Sequence, residues 1–526
     1  MEKEIKYKWF ALATLALAVS LIVMDGTIIN VAIPVIMKDL NLNFTQVEWI
    51  TTLYALVFSA LLITTGRIAD HVGRKKMLIL GIGIFIIGSI IASTAKGINS
   101  LLFARFIQGI GGAVVLPTTL SAVNSTFFGR DRIIAFAVWG SVISGMAAVG
   151  PLIGGYFCTY INWRWIFWIN IPIGLLIIIG AFKFVPETFG EKLNNGFDFL
   201  GFVISTFGLA ALVYGLIEGR NLGWIEPKYT EKSIMGLSYT PYLIGFGIIS
   251  LILFMLWEKH QVLNGKTHLL DVTLFKFKSF TLGNIIACLV AIGEFGLLFV
   301  LPLFLQNILG LSAMSSGFIL ASLGVGAFVS GGFASEIGRR TSPSAVASIG
   351  LLIETIGLAG FFFTVVPDIS KSIIVLWLVV YGIGLGMASS QLTSTVFVDV
   401  PPLKSGQGSA TQSTVRQLGS ALGIALMGTI LVSFLTVNVN NSLNSIDLPK
   451  EALTGIESSV VETAGASISG IKHDNKMVQF PPEEKDKLFK ALDDSFTKSS
   501  VDTIGVSALI LGLGFILSLF LPKKKK

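Results

Sequence analysis

The stretch Gly66-Arg-Ile-Ala-Asp70-His-Val-Gly73-Arg74-Lys75-Lys76 is a short charged turn set between two apolar runs. The run that follows, Met77–Ala95, is continuous and nearly free of charge, and its length approaches the roughly 20 residues a helix needs to cross a bilayer. A second stretch, Gly331-Gly-Phe-Ala-Ser335-Glu336-Ile-Gly338-Arg339-Arg340, repeats the first. Gly331 falls over Gly66, Ala334 over Ala69 and Gly338-Arg339 over Gly73-Arg74, with Ser335 in the place of Asp70. A turn that recurs between apolar runs implies two related halves. Membrane transporters built this way hold their substrate between the halves, near the midplane.

The rest of the chain fits that reading. Of 526 residues 53% are hydrophobic and only 13% charged, and the mean hydropathy is +0.78. A soluble domain carries about a quarter charged residues, so this chain cannot clothe a soluble globule of its size. A membrane β-barrel would alternate over short segments, which these long apolar runs do not. Fourteen spans are predicted near 9–33, 46–66, 77–95, 99–121, 133–158, 164–184, 198–219, 241–257, 279–305, 311–335, 343–365, 372–397, 408–436 and 500–521. The fold expected is an all-α polytopic membrane protein. It has an N-terminal six-helix bundle over 1–190, two inserted helices over 191–265 and a C-terminal six-helix bundle over 266–526. The first run is read as a retained span, not a cleaved leader.

The net charge of +7 reflects topology, not nucleic acid. Lys3, Lys6, Lys8 and Lys523 to Lys526 mark the termini, and Arg74–Lys76, Arg130, Arg132, Lys259, Lys266, Lys276, Lys278, Arg339 and Arg340 fall on the same side. The opposite short loops are poorer in charge, apart from Arg220, Lys228 and Lys232. This bias puts both termini in the cytoplasm of a multi-pass protein of the cell membrane. One outer segment, 437–499, is long and polar. Pro481-Pro482, the acids after them, and Leu488, Phe489, Leu492 and Phe496 at helical spacing predict an amphipathic helix there.

Several residues stand out as candidates for chemistry. Asp25 lies deep in the first span, where an Asp near the bilayer centre costs about 2.5–3.5 kcal/mol even on a lenient scale. Such a carboxyl must face a cavity, meet a partner or carry a proton. Arg105 in the fourth span matches it in depth, and Gln108 lies one turn deeper on the same face. Glu294 interrupts the ninth span and Glu354 the eleventh; both are candidate proton sites. Asp399 and Glu336 lie near span ends and read as interfacial charges. Gly145, Gly150, Pro151, Gly154 and Gly155 suggest a kinked, closely packed fifth span. Asp70 and Arg74 suit a charged latch, while Arg74–Lys76 equally serve topology. Trp163, Trp165 and Trp168 bunch at a membrane boundary, where interfacial Trp is usual. Cys158 and Cys288 are isolated, and the four His (His71, His260, His268 and His473) lie in loops. No metal spacing, nucleophile–base spacing or nucleotide-binding loop of the Gly-x-x-x-x-Gly-Lys-Ser/Thr form occurs. An enzyme is therefore not expected.

The turn Gly66–Lys76 resembles the signature loop of the major facilitator superfamily. Asp25-Gly-Thr27-Ile-Ile-Asn30-Val-Ala32-Ile-Pro34 resembles the first-span motif of its fourteen-span drug/proton antiporters. Arg105-Phe-Ile-Gln108-Gly109-Ile-Gly111-Gly112-Ala113 resembles their fourth-span motif, and Gly145, Gly150-Pro151 and Gly154-Gly155 the fifth-span motif associated with exporters. Trp163-Arg164-Trp165-Ile-Phe167-Trp168-Ile-Asn170-Ile-Pro172-Ile-Gly174 is similar to the start of that subgroup's sixth span. The resemblance implies proton-coupled export of hydrophobic, preferentially cationic drugs by alternating access. No cofactor is implied beyond the proton gradient. The partners are small hydrophobic substrates, protons and the bilayer, and a monomer is the expected state. Taken together, the residues and the resemblance place Asp25 and Arg105 in proton coupling, with Glu294 and Glu354 added by their mid-span position alone, Asn30 and Gln108 at the substrate cavity, and Gly66, Asp70, Gly73 and Arg74 at a cytoplasmic gate. Export of a lipid or lipid-linked molecule is an alternative within the same subgroup, and a transporter-like sensor without flux is one of another class.

Overall fold

The computed structural model describes residues 7–127, 129–189, 198–228, 233–367, 369–400, 405–444, 446, 448–472 and 481–522. Lys3, Lys6, Lys232, His473 and Lys523 to Lys526, used in the sequence reading, lie outside the described residues. The side chains of Arg130, Arg132, Arg220 and Arg339 do so as well.

The described chain is almost wholly helical. The N-terminal part holds α1 (Lys8–Asp39), α2 (Phe44–Val72), α3 (Arg74–Ser93), α4 (Ile98–Thr126), α5 (Gly129–Tyr160), α6 (Trp165–Trp168) and α7 (Asn170–Phe184). Next come α8 (Phe199–Leu222), a two-residue hairpin of β1 (Ser233–Ile234) and β2 (Leu237–Ser238), and α9 (Tyr239–Leu263). The C-terminal part holds α10 (Lys278–Asn307), α11 (Ala313–Arg340), α12 (Pro343–Thr364), α13 (Lys371–Val396), α14 (Ser405–Leu443), α15 (Lys450–Glu462), α16 (Ser467–Lys472) and α17 (Pro482–Ser518). Thirteen helical stretches among the described residues are long and apolar enough to cross a membrane, with α6 and α7 together forming one. The 32-residue α5 occupies the place of the fifth predicted span; at about 1.5 Å per residue it is longer than a bilayer core is thick.

Local chemistry sets the helix ends. Asn43 and Gln46 exchange hydrogen bonds in a capping box that starts α2, satisfying backbone donors that would otherwise be orphaned. Ser342 caps α12, whose first residue is Pro343, where a missing N–H costs nothing.

Helices α1–α7 pack into one bundle, and α10–α14 with the membrane part of α17 into another. Helices α8 and α9 pair with each other, and α8 leans on both bundles through α2 and α14. Trp49 Nε1 donates to Glu218 of α8 at 2.9 Å, and the Thr429 hydroxyl of α14 donates to the Leu216 carbonyl at 3.2 Å. The described parts of the segment 437–499 pack on the second bundle. Leu488, Leu492 and Phe496, on the first turns of α17, are fully buried with Val460 and Ile468, and Lys472 pairs with Asp493 at 2.6 Å.

The bundles meet along α5–α11, α2–α14 and α1–α10. We call the face on which α1 starts proximal and the opposite face distal. The contacts between the helices of the two bundles lie toward the distal face, while on the proximal side Arg67 Nη2 of α2 donates to the His268 carbonyl, ahead of α10, at 3.3 Å. The Met314 N–H donates to the Thr159 hydroxyl at 2.9 Å, Gln306 Nε2 donates to the Val31 carbonyl at 2.9 Å, and the Phe44 and Phe299 rings lie 5.6 Å apart. Helices α5 and α11 touch backbone to backbone: a Cβ on Gly155 would meet Ala313 and Met314, and one on Gly317 would meet the Pro151 carbonyl. Small residues permit such an approach. The molecule is therefore sealed distally, between α5 and α11 above all.

Gly155→Val should force this seam apart, since overpacking costs about 1–3 kcal/mol. In a background lacking Cys158 and Cys288, a cysteine placed at Thr159 should then react with a membrane-impermeant maleimide about 5- to 150-fold faster. Unchanged labelling would mean the distal seal lies elsewhere.

Candidate functional site

Asp25 sits in α1 with 0% of its surface exposed, and Arg105 in α4 with 1%. Arg105 Nη1 donates to Asp25 Oδ2 at 2.6 Å and to Gln108 Oε1 at 2.9 Å. The other carboxylate oxygen, Oδ1, accepts from Gln108 Nε2 at 3.2 Å and from Asn170 Nδ2 at 3.0 Å. Both amides also donate to the Ser89 hydroxyl of α3, at 2.9 and 3.2 Å. Arg105 Nε donates to the Ile50 carbonyl at 3.1 Å, and its guanidinium lies 4.1 Å from the centre of the Tyr54 ring. A buried charge is tolerable only when paired and hydrogen-bonded. Here five helices (α1, α2, α3, α4 and α7) supply the partners, and a cation over an aromatic face adds to the attraction.

The second bundle holds a different cluster. Arg416 Nη2 of α14 donates to Glu294 Oε2 of α10 at 3.3 Å. The Arg416 side chain is 47% exposed and that of Glu294 10%, so this pair borders open space. Glu354 of α12 is 0% exposed, and neither of its carboxyl oxygens has a hydrogen-bond partner among the described residues. The hydroxyl of Tyr381 on α13 is likewise buried and unpartnered. Glu294 and Arg416 act electrostatically on both Glu354 and Tyr381.

Placement of the remaining candidates is mixed. Gln108 belongs to the Asp25 network instead of facing open space, and Asn30 is buried at 4% exposure. Asp70 accepts from Arg74 at 2.7 Å, and Arg74 Nη1 donates to the Ser121 carbonyl at 3.2 Å. Glu187 accepts from the Lys75 N–H at 2.9 Å. These bonds tie the charged turn to its own bundle. Gly73 between α2 and α3 has φ +116°, a conformation that favours glycine, and Gly66 packs on Pro117. Gly150 and Gly154 pack on Thr27 and Ile28 of α1, and Gly155 on α11. Gly145 corrects the close-packing expectation: a Cβ there would meet open space. Trp163 is a second correction. Trp165 and Trp168 are exposed, but Trp163 is buried, donating to Asp39 at 2.8 Å beneath Arg164. Glu336 pairs with Arg340 on the exposed end of α11, and Asp399 lies just beyond α13.

Sequence reasoning passed over Arg416, Asn170, Ser89 and Tyr54. Arg416 was open to the argument used for Asp25, being the one Arg within the apolar run 408–436. Asn170 stood inside a quoted stretch. Ser89 and Tyr54 carry no signal above the many Ser and Tyr of any membrane helix.

Two helical bundles packed side by side, with ionisable groups held inside each, are the architecture of a membrane transporter. The Major Facilitator Superfamily model matches residues 15–424, and the chain belongs to that superfamily. It is 29% identical to the riboflavin transporter RibZ of Clostridioides difficile (strain 630), over 82% of this chain and 90% of that one. It is 30% identical to the multidrug efflux pump LfrA of Mycolicibacterium smegmatis, over 82% of each. With the multidrug transporter protein MdtP of Bacillus subtilis it shares 24% identity over 95% of this chain and 91% of that one. Among solved structures, a bacterial homologue of the human lysosomal transporter Spinster, inward-facing and unoccupied, superposes with a TM-score of 0.62 at 16% identity, covering 98% of both chains.

Arg105→Ala leaves Asp25 buried without its cation, and losing one partner of a buried pair costs about 3–5 kcal/mol. The melting temperature in detergent should fall clearly. Adding Asp25→Asn should recover much of the loss, because the charge left behind is then gone. A double variant no more stable than Arg105→Ala would mean that Arg105 acts through packing alone.

Proposed function

We propose that this chain exports hydrophobic, preferentially cationic compounds from the cytoplasm in exchange for protons, by alternating access. The observation that carries the reading is the Asp25 network: a carboxylate fully removed from water, matched by one guanidinium and two amide donors. Such a site has two states in this reading. In one, the charged pair is satisfied by hydrogen bonds. In the other, a proton on Asp25 removes the negative charge and frees Arg105, which keeps the Gln108 amide, the Ile50 carbonyl and the Tyr54 face. Passage between them changes how tightly α1 is held to α4, and so can be linked to rearrangement of the bundle.

In this reading the proximal face is cytoplasmic, both termini lie there, and the distally sealed molecule is the form that loads substrate from the cytoplasm. Asp70 and Arg74 then join the cytoplasmic gate when the bundles close proximally. The proton gradient is the only energy source, without a cofactor. Similarity to efflux proteins such as LfrA and MdtP supports export of drugs, and carboxyls in an apolar interior favour cations by complementarity. A second reading rests on the similarity to RibZ: a neutral, planar substrate like riboflavin.

Purified protein in proteoliposomes, given a pH gradient, should move ethidium, and riboflavin poorly or not at all. Asp25→Asn, at equal reconstituted amount, should lose gradient-driven ethidium movement. Undiminished transport by that variant sinks the coupling role, and riboflavin transport in place of ethidium favours the second reading.

A further inference from the structure

We infer that Glu354 carries a proton in this conformation and that Arg416 is a switchable counter-ion, able to leave Glu294 for Glu354 and displace that proton. The inference deepens the proton-exchange reading by assigning a second exchange site in the other bundle.

Three observations carry it. Glu354 is fully buried, and both carboxyl oxygens lack a hydrogen-bond donor among the described residues. The contrast with Asp25, which accepts from three groups, is sharp. An ionised carboxylate so placed is unsustainable, and the neutral acid is what burial of this kind leaves. Second, the charges that act on Glu354 are Glu294 of α10 and Arg416 of α14, with the Tyr381 phenol of α13 facing the same cluster. Helix α17, which also packs on α12, contributes neutral groups: Ser518 bonded to Ser348, and Gly512 beside Thr355. Third, the pair Arg416–Glu294 is long, at 3.3 Å, and borders open space. Arg416 is thus held weakly enough to change partner, whereas Arg105 is locked by four contacts.

The switch conserves charge. At the start Glu354 is neutral and Glu294 is paired with Arg416. At the end Glu354 is ionised and paired with Arg416, and the proton it released sits on Glu294, at the edge of the open space. The cluster is neutral overall in both states, so no bare charge is left in the apolar interior. Glu294 then delivers the proton to water. Tyr381, whose hydroxyl is buried without a hydrogen-bond partner among the described residues, faces the same cluster and is not itself a proton carrier.

Infrared spectroscopy of the purified resting protein tests this without any transport. Wild type should give the carbonyl stretch of a protonated carboxyl, and Glu354→Gln should lose it. Glu294→Gln, on the edge of the open space, frees Arg416 and should also lose the band, although Glu354 is intact. The double variant Glu294→Gln/Arg416→Gln should regain it. Tyr381→Phe should shift the band without removing it. A band unchanged in Glu354→Gln overturns the assignment, and a band unchanged in Glu294→Gln overturns the switch. Because the measurement needs neither gradient nor substrate, its outcome is independent of whether Asp25→Asn abolishes ethidium transport.

Discussion

The pairing of Asp25 with Arg105 is the constraint around which the first bundle is organised. Neither side chain touches water, and either charge alone would be intolerable in a medium that cannot hydrate it. The pair therefore has to be complete. Asp25 needs three donors from two helices, and Arg105 needs the Ile50 carbonyl and the Tyr54 ring as well. Those needs fix the neighbours: α3 must present Ser89, α7 must present Asn170, and Gly88 must yield the space that Gln108 fills. A network so fully specified gives little net stability compared with an apolar core of the same volume. What it supplies is one geometry, with one group that can take up a proton.

The second bundle solves the same problem differently. Glu294 sits at nearly the depth in α10 that Asp25 has in α1, but its cation comes from α14 and borders open space. The place that Ser89 occupies between helices in the first bundle has a buried carboxyl counterpart in Glu354 on α12. One half thus holds a rigid, desolvated pair, and the other a looser pair with an unpartnered acid behind it. The repeat preserved the helices and their order while the polar interior diverged.

The fold was legible because it follows from a coarse property. Long apolar runs leave the backbone no alternative to helices in a bilayer, and a repeated motif such as Gly66–Lys76, which the structure places at helix ends, divides them into halves. Asp25, Arg105 and Gln108 were legible for the same reason: a charge in an apolar run is conspicuous, and depth and helical spacing bring these three together. Partners that are ordinary residues were not. Ser89 and Asn170 matter only because of what faces them, and a linear sequence does not say which helix is opposite. Trp163 failed in the converse direction: it was grouped with exposed boundary Trp, but Asp39 and Arg164 hold it inside the protein. Gly145 failed because a glycine can equally face a neighbour or nothing.

The distal seam and the buried pair share elements, which makes coupling between them a matter of geometry. Helix α1 carries Asp25 and, six residues on, Val31, whose carbonyl accepts from Gln306 across the seam; the rise between them is about 9 Å. Helix α2 carries Ile50, which accepts from Arg105, and Phe44, which meets Phe299 of the other bundle. Glycines of α5 hold α1 on one side and α11 on the other. Opening the seam must rotate α1, α2 and α5 relative to α10 and α11, and these are the helices that hold the carboxylate and one acceptor of its cation. On the proposed proton-exchange reading, a proton on Asp25 would remove the charge that binds α1 to α4, and so would lower the cost of that rotation. Two discrete arrangements of one network, each favouring a different seam, are sufficient for reciprocal linkage between proton and access. No longer path through the molecule is needed.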